Sequence, residues 1–270
     1  MPSVHSNLRR LVASADHTCC VVHGAASPAL LAASAQLCAA AEADETLLDL
    51  HYWEGYEAKA NEEVTAQFVR QLSEDLTDPT DTGVHAAASA WLPLAHSFVR
   101  GLLAMYNGSL VAAERRLFYL RVQINSGNAC IKFHDDFVTV RMVSALCGDS
   151  TVVAPPAATD WRLWKKTNGQ LAMTDLSSEV ERQTAVLRFN EQVCPPDREV
   201  RPPAGDVLLL KGGKLTTRPC VHRAPYSADT SCCQACSPNH RLLITLDYIT
   251  LEECSNFIDM HAQNDEDDMD

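Results

Sequence analysis

The chain has 270 residues, of which 46% are hydrophobic and 21% charged, so it can bury a sizeable core. Its formal net charge of −13 argues against nucleic acid as the main partner, because phosphate backbones are bound by clustered lysines and arginines. It contains no apolar run of about eighteen residues, so no transmembrane helix and no membrane partner are expected.

The eleven cysteines are an odd number and include the adjacent pairs Cys19-Cys20 and Cys232-Cys233. This pattern does not fit a secreted disulfide framework and predicts a reducing intracellular location, the cytoplasm first. The opening ten residues are too polar for a secretory signal. They carry two arginines with no acid before Asp16, which leaves organelle targeting open.

Residues 27–106 are predicted to be helical. Ser27-Pro28 opens an Ala/Leu-rich run with a cap residue and a first-turn proline. Residues 58–76 space their apolar side chains as a helix does, and residues 84–106 form a third helical stretch that Pro93 bends or splits.

From residue 115 onward the periodicity is that of strands. The predicted strand segments are 117–124, 129–147, 152–153, 207–210, 220–222 and 242–246. A helix is predicted at 179–193, and Trp161 and Trp164 are expected to fill the core, with a role in a substrate cleft as the alternative. Many short strands separated by glycine and proline turns favour a sandwich or a barrel.

His134 and Asp136 are two residues apart in a predicted strand, so their side chains point to the same face. One imidazole and one carboxylate, joined by a second histidine, make a 2-His-1-carboxylate metal site with open coordination positions. Chance alone gives roughly 0.7 such His-x-Asp pairs in a chain of this composition. The pair therefore gains weight only from its context.

That context is an ordered series of motifs downstream. Gly205–Gly212 is a turn followed by an apolar strand, Cys220-Val221-His222-Arg223 is a strand ending in histidine, and Arg241–Asp247 is a last strand that opens with arginine. This order resembles the 2-oxoglutarate/Fe(II) dioxygenase superfamily, in which His-x-Asp lies on an early strand and the second histidine on a late one.

At closer range, two segments of the chain resemble a widespread uncharacterised family known only as a domain of unknown function. The shared motifs cover under a third of the chain. They read here as Phe133–Asp136, Arg141-Met142-Val143, Gly148…Thr151, Gly205–Gly212, His222–Pro225 and Arg241–Asp247.

The resemblance implies an α+β protein whose C-terminal part is a double-stranded β-helix, a cupin-like barrel, with N-terminal helices packed on it. The expected division is a helical region at 1–110, the metal-binding β-helix at 111–258 and an acidic disordered tail at 259–270.

The resemblance also implies the site. His134, Asp136 and His222 bind Fe(II), and Arg241 holds the far carboxylate of 2-oxoglutarate. Arg241 follows His222 by nineteen positions, more than is usual in the dioxygenases, so Arg223 and Arg141 remain alternative carboxylate binders. Use of 2-oxoglutarate itself is also left open.

A cysteine-rich insertion fills that gap. Cys220, Cys232, Cys233 and Cys236, with His240 nearby, could hold a zinc ion, and Cys233-x-x-Cys236 has the spacing of a zinc ligand pair. Free thiols or a redox-active loop are the alternatives. Asp135 is expected either to support the metal site or to be simply solvated.

Three functions follow from these features. The preferred one is a mononuclear Fe(II) oxygenase, 2-oxoglutarate-dependent, that acts on an unknown small-molecule or protein substrate. The main alternative is a non-catalytic barrel that binds zinc or another metal for buffering or sensing. The third is a cupin-like enzyme that uses its metal as a Lewis acid. Neither the substrate nor the oligomeric state can be deduced from the sequence.

Overall fold

The computed structural model describes residues 11, 14, 16–43, 48–54, 82–107, 117–125, 130–167, 178–226 and 240–249. Its strands are β1 (Cys19–Val22), β2 (Leu48–Glu54), β3 (Leu117–Asn125), β4 (Val140–Cys147), β5 (Val152–Ala154), β6 (Val207–Lys211), β7 (Val221–Arg223) and β8 (Arg241–Ile249). Its α-helices are α1 (Pro28–Ala43), α2 (Thr82–Asn107), α3 (Trp161–Thr167) and α4 (Glu179–Val193).

Six strands form the main sheet in the order β1-β6-β4-β8-β3-β2, and every neighbouring pair is antiparallel. The four central strands all follow α2 in the chain, whereas β1 and β2 precede it and add one strand at each edge. The N-terminal part of the chain therefore contributes to the sheet as well as to the helices.

A smaller sheet pairs β5 with β7. Two isolated bridges extend it at its edges, because His134 pairs with His222 of β7 and Val200 pairs with Val153 of β5. Residues of both sheets share one apolar cluster that includes Val143, Leu208 and Leu243 from the main sheet and Val153 from the small one. The small sheet thus faces the main sheet.

The side chains of the central strands alternate between two buried environments. Leu120, Met142 and Leu246 point outward into the largest apolar cluster, which is shared with α1 and α2. Their neighbours along the strands point inward, toward the small sheet, as the two-residue period of a strand requires. Trp91 of α2 is fully buried and its indole N–H donates to Ser34 Oγ of α1 at 2.8 Å, which ties the two helices together.

Helices α3 and α4 cover the other side of the small sheet. Trp164 of α3 and Phe189 of α4 share a cluster with Phe133, Val152 and Val221. Helix α4 starts with a capping box, in which Ser178 Oγ accepts from the Glu181 N–H and the Glu181 carboxylate accepts from the Ser178 N–H. Both helices thus close the small sheet from outside.

The α+β class is confirmed, as are the predicted strands at 117–124, 207–210 and 242–246 and the helix at 179–193. The helical prediction for 27–106 is wrong at residues 48–54, which form β2 beside β3. The alternation in Leu48-Asp49-Leu50-His51-Tyr52-Trp53 is a strand signal that the Ala-rich surroundings obscure. The helix predicted at 58–76 and the acidic tail lie outside the described residues.

Pro93 does not split the third predicted helix, because α2 runs unbroken from Thr82 to Asn107 with Pro93 exposed on its surface. Exposure lets water reach the carbonyl that proline leaves unpaired. Within the described ranges, no helix is long and apolar enough to cross a membrane.

Gly212, directly after β6, packs its backbone against the chain before β4. A Cβ atom at this position would lie 1.9 Å from the Val138 carbonyl oxygen, whereas a Cβ at Gly101 of α2 would meet nothing within 4 Å. We expect Gly212→Ala to lower the free energy of unfolding by about 2–3 kcal/mol or more through this overlap. Gly101→Ala should raise it by about 0.5–1 kcal/mol.

Urea denaturation of both variants measures the difference. Equal stabilities for Gly212→Ala and the wild type would show that the chain can move away from the added methyl group at no cost.

Candidate metal centre

His134 and His222 are brought together by backbone pairing across the small sheet. The His134 N–H donates to the His222 carbonyl and the His222 N–H to the His134 carbonyl, both at 2.9 Å. Residues that pair in this way face each other directly, and the two imidazole rings lie 4.5 Å apart between centroids. Asp136 joins them, and one ligand atom from each of the three residues lies within 4.8 Å of the other two.

Each histidine has its Nδ1 atom occupied by a backbone carbonyl two residues earlier. His134 Nδ1 lies 2.9 Å from the Lys132 oxygen, and His222 Nδ1 lies 3.1 Å from the Cys220 oxygen. A carbonyl oxygen can only accept, so both Nδ1 atoms carry the proton. In the neutral form of each ring the lone pair is therefore on Nε2, which is the arrangement that metal-binding histidines use.

The two oxygens of Asp136 have different partners. Oδ1 forms an ion pair with Arg141 NH1 at 2.8 Å, whereas Oδ2 lies 3.1 Å from His222 Nε2 without the direction of a hydrogen bond. Burial would raise the pKa of Asp136, but His222, Arg141 and His134 outweigh it and hold the pKa well below its usual range. Asp136 is therefore a carboxylate with one oxygen held and one directed at the histidines.

With His222 neutral, its Nε2 and the Asp136 Oδ2 would be two acceptors only 3.1 Å apart. A positive species, either a proton or a metal ion, has to separate them. Two atoms bound to one metal at about 2.1 Å and a right angle to each other lie about 3 Å apart. The donor set and this spacing both fit a metal ion held by His134, Asp136 and His222.

Arg141 connects this centre to the main sheet. Its Nε and NH2 donate to the two oxygens of Asp247 at 2.7 and 2.6 Å, while its NH1 holds Asp136. The Asp247 side chain is only 2% exposed. Burial would lower the pKa of Arg141, but Asp247 and Asp136 raise it by more, so the guanidinium stays charged between the two carboxylates.

An inner cavity of about 210 Å³ lies between the two sheets and borders both histidines. Its wall includes Arg241, whose Nε donates to the Asp149 carbonyl at 2.7 Å. The Arg241 NH2 is buried and has no hydrogen-bond partner among the described residues. Burial, only partly offset by Asp149, lowers the pKa of Arg241 to about 10. The cavity therefore contains a buried cation with an unused donor.

The other two candidate arginines already have acidic partners. Arg141 is held by Asp136 and Asp247 as described above. Arg223 donates to both oxygens of Glu199 at 2.9–3.2 Å, and its guanidinium lies 5.4 Å from the centre of the Phe133 ring. These contacts favour Arg241 as the residue that receives an anionic ligand, a role that stays a prediction.

Three residues of this centre were not predicted from the sequence. Asp247 and Arg121 both point into the interior. Asp247 lies six positions after Arg241 on β8, and Arg121 lies two positions after Tyr119 on β3. Side chains at an even spacing along a strand share a face, so this pattern could have shown their direction. Asn190 of α4 accepts from the Phe133 N–H and donates to the Ile131 carbonyl, both at 2.8 Å. It fixes the segment that ends in His134, and no local pattern marks it.

The predicted zinc cluster is described only in part, because Cys232, Cys233 and Cys236 lie outside the described residues. Cys220 is buried with its thiol beside that of Cys19, and this contact, together with burial, raises the pKa of Cys220 well above its ordinary value. His240 Nδ1 lies 3.9 Å from a carboxylate oxygen of Glu42. The zinc hypothesis remains a prediction.

Asp135 is half-buried beside Gly213.

Removal of one partner of the Arg141–Asp247 pair should destabilise the fold strongly, because the other partner is left buried without its counter-charge. Arg141→Met leaves two carboxylates in a buried region without their cation, so we expect it to cost about 3–5 kcal/mol. In the double variant Arg141→Met/Asp247→Asn, one of these stranded charges is gone. The double variant should lose clearly less free energy of unfolding than the two single variants lose together. Urea denaturation of all four proteins measures the coupling, and strict additivity would show that the pair does not act as a unit.

The metal-free protein should lose stability as the pH falls from neutral, because His134 resists protonation. Burial and the charge of His222 lower its pKa from 6.5 to about 4. Between these values the unfolded chain binds the proton and the folded chain does not, so the free energy of unfolding falls with pH. We expect a loss of up to about 2 kcal/mol from this group between pH 7 and pH 5.

Denaturation in the presence of a chelator at both pH values measures this effect. His134→Gln should remove most of the loss, whereas His85→Gln, which changes an exposed histidine of α2, should leave it in place. The same slope in His134→Gln and the wild type would assign the loss to other groups.

Comparison with known proteins gives a family and distant similarities to solved structures. No curated protein matches the chain. A full-length protein of Neurospora crassa, solved in complex with alpha-KG, is 12% identical at a TM-score of 0.30 and covers 74% of this chain, which spans only 54% of that protein. A Caulobacter crescentus protein described as a putative member of the 2OG-Fe(II) oxygenase family is 11% identical at a TM-score of 0.33. The match covers 93% of this chain and 87% of that protein.

At these TM-scores neither similarity establishes a common fold or activity. The family match is far broader, because the model of one family covers residues 12–247, which include all three candidate ligands His134, Asp136 and His222. The chain therefore belongs to the family described as "Protein of unknown function (DUF1826)".

Proposed function

We propose that this protein is a mononuclear non-haem Fe(II) oxygenase that uses 2-oxoglutarate as co-substrate. The observation that carries the proposal is the arrangement of His134, Asp136 and His222 beside a cavity with a cationic wall. One ligand atom from each of the three residues lies within 4.8 Å of the other two, and both Nδ1 atoms are already bound to carbonyls, which leaves Nε2 as the ligand atom of each histidine.

Three protein ligands on one side of a metal leave the other side open. A structural zinc site usually completes four protein ligands, whereas the 2-His-1-carboxylate set with open positions is typical of non-haem Fe(II) oxygenases. Arg141 supports this arrangement because it occupies Asp136 Oδ1, so that Asp136 offers only Oδ2 to the metal. A bound iron would supply the oxygen chemistry, and the protein would supply binding and orientation.

The inner cavity supports 2-oxoglutarate as the second ligand. Four arginines line it, and two of them, Arg141 and Arg223, have their charge balanced by buried acids. The unused NH2 of Arg241 remains to bind a carboxylate, and a volume of about 210 Å³ suits a small dicarboxylate. Arg121 lines the same wall with Gln123, whose amide oxygen can accept from Arg121 NH2 at 2.7 Å.

The strand order favours a double-stranded β-helix as the framework. From β3 to β8 the chain contributes to the main sheet through β3, β4, β6 and β8 and to the small sheet through His134, β5, Val200 and β7. This part of the chain thus gives four strand positions to each sheet. Two facing antiparallel sheets built in this order fit a cupin-type double sheet. The metal ligands of such a fold would then lie where His134 and His222 pair.

In this proposal each side chain has a defined task. His134, Asp136 and His222 hold the metal, and Asn190 and Arg141 keep the first two in place. Arg241 binds the far carboxylate of 2-oxoglutarate. The left-handed turn at Gly148 (φ 74°) precedes Asp149, whose carbonyl accepts from Arg241 Nε. A Cβ at Gly148 would lie 2.7 Å from the His240 carbonyl, so glycine permits this close approach.

Arg241→Ala should abolish 2-oxoglutarate binding and leave metal occupancy nearly unchanged. A carboxylate inside the cavity needs a buried cation, and loss of one partner of such a pair costs on the order of 3–5 kcal/mol, or at least about a hundredfold in affinity. The measurement is an anaerobic titration of the Fe(II)-loaded protein with 2-oxoglutarate, followed by its charge-transfer absorption and by calorimetry.

Arg100→Ala, which changes an exposed arginine of α2 on the far side of the main sheet, is the matched control and should bind like the wild type. Equal binding in Arg241→Ala would identify a different anchor. No binding to the iron-loaded wild type would reject the dioxygenase function and favour a metal-binding barrel that does not use this co-substrate.

A further inference from the structure

A second cleft, of about 440 Å³, lies next to the metal centre and shares no lining residue with the inner cavity. Three parts of the chain form it: the loop around Asp135 and Phe137, helix α3 with Trp164 and Lys165, and the turn from Gly213 to Pro219 between β6 and β7. These parts come from distant positions in the sequence, and nothing in the proposed chemistry of iron and 2-oxoglutarate uses them.

The cleft is in direct contact with the segments that carry the ligands. Asp135 and Phe137 are the chain neighbours of Asp136, and the Gly213 N–H donates to the Asp136 carbonyl at 2.8 Å. The turn after Gly213 leads into β7 and thus to His222. A molecule in this cleft would lie beside the metal centre but outside the inner cavity.

Phe137 is exposed to an unusual degree at this position. Its relative exposure is 76%, whereas most large apolar side chains among the described residues are buried. The Lys214 ammonium lies 4.9 Å from the centre of its ring. An aromatic ring held open beside a candidate metal ligand offers a surface for an apolar or aromatic group of a ligand.

Lysines lie at this cleft together with one acid. Lys165 lines it, Lys166 follows on the same helix, and Lys214 lies over Phe137, in a protein with a net charge of −13. The acid of the lining is Asp135, which lies against Gly213 and would repel an anion at that end. Lys165 and Lys214 therefore offer cations to a negative group of a ligand, and Phe137 offers a surface to an apolar group.

We propose that this cleft binds the substrate to be oxidised, and that the substrate is an organic anion with an apolar or aromatic part. The assignment of this ligand as a substrate rests on the oxygenase function proposed above. The binding site itself does not, because its recognition groups are independent of iron and of 2-oxoglutarate.

The test uses 3-phenylpropanoate as probe and its uncharged amide, 3-phenylpropanamide, as the matched ligand. Binding is measured by calorimetry and by NMR on the metal-free protein of 270 residues. Because no metal is present, the probe cannot bind through one. We expect saturable binding of the carboxylate and roughly tenfold weaker binding of the amide. Lys165→Glu and Phe137→Ala should each weaken carboxylate binding by roughly five- to tenfold, because one reverses a charge and the other removes the apolar contact.

Two controls separate this cleft from other sites. Arg100→Glu reverses an exposed charge of α2 on the far side of the main sheet, and Arg241→Ala removes the cation of the inner cavity. Neither should change the affinity for the probe. Thermal unfolding of the surface variants Lys165→Glu and Phe137→Ala checks that both remain folded.

Absence of saturable binding, equal affinities for carboxylate and amide, or loss of binding in Arg241→Ala but not in Lys165→Glu would each overturn the proposal. If the probe binds as expected while the iron-loaded protein fails to bind 2-oxoglutarate, the cleft stands and the oxygenase function falls. The opposite pair of results leaves the oxygenase function standing and rejects this substrate class.

Discussion

The arrangement of the candidate centre depends on one interaction, the contact of Arg141 with two carboxylates at once. Asp136 belongs to a loop and Asp247 to β8, a central strand of the main sheet, and Arg141 of β4 holds both. This contact fixes the loop to the rigid part of the molecule. It also directs one oxygen of Asp136 away from the sheet and toward the histidines, so the geometry of the centre is set before any ligand arrives.

The two-residue period of a strand explains how several charged side chains can lie between the main sheet and the small sheet. Arg241, Thr245 and Asp247 of β8 share one face, while Leu242, Ile244 and Leu246 share the other with the helices. One face of the sheet is thus a conventional apolar core. The opposite face combines the apolar cluster that it shares with the small sheet with arginines that are paired with acids or directed at a cavity. Burial of these charges costs free energy, which helices α1 and α2 offset with a large apolar interface.

The sequence predicted the members of the centre better than the framework that supports it. The convergence of His134, Asp136 and His222 could be predicted because a His-x-Asp pair and a late-strand histidine leave a local signature, although Asp136 lies in a loop and not on the predicted strand. The roles of the three arginines could not be separated, since the distinction depends on acids remote in the chain, Glu199 for Arg223 and Asp247 for Arg141. Edge strand β2 was missed because its alternation is short and lies among strong helix formers, and the bridges at His134 and Val200 are too short for any periodicity.

The central claim is that His134, Asp136 and His222 hold one metal ion, with iron as the functional one. Elemental analysis of anaerobically prepared, Fe(II)-reconstituted protein measures this most directly, with His222→Ala and His85→Ala compared side by side. The account predicts one equivalent of iron in the wild type and in His85→Ala, and loss of that iron in His222→Ala. Full iron occupancy in His222→Ala, or none in the wild type, would contradict it.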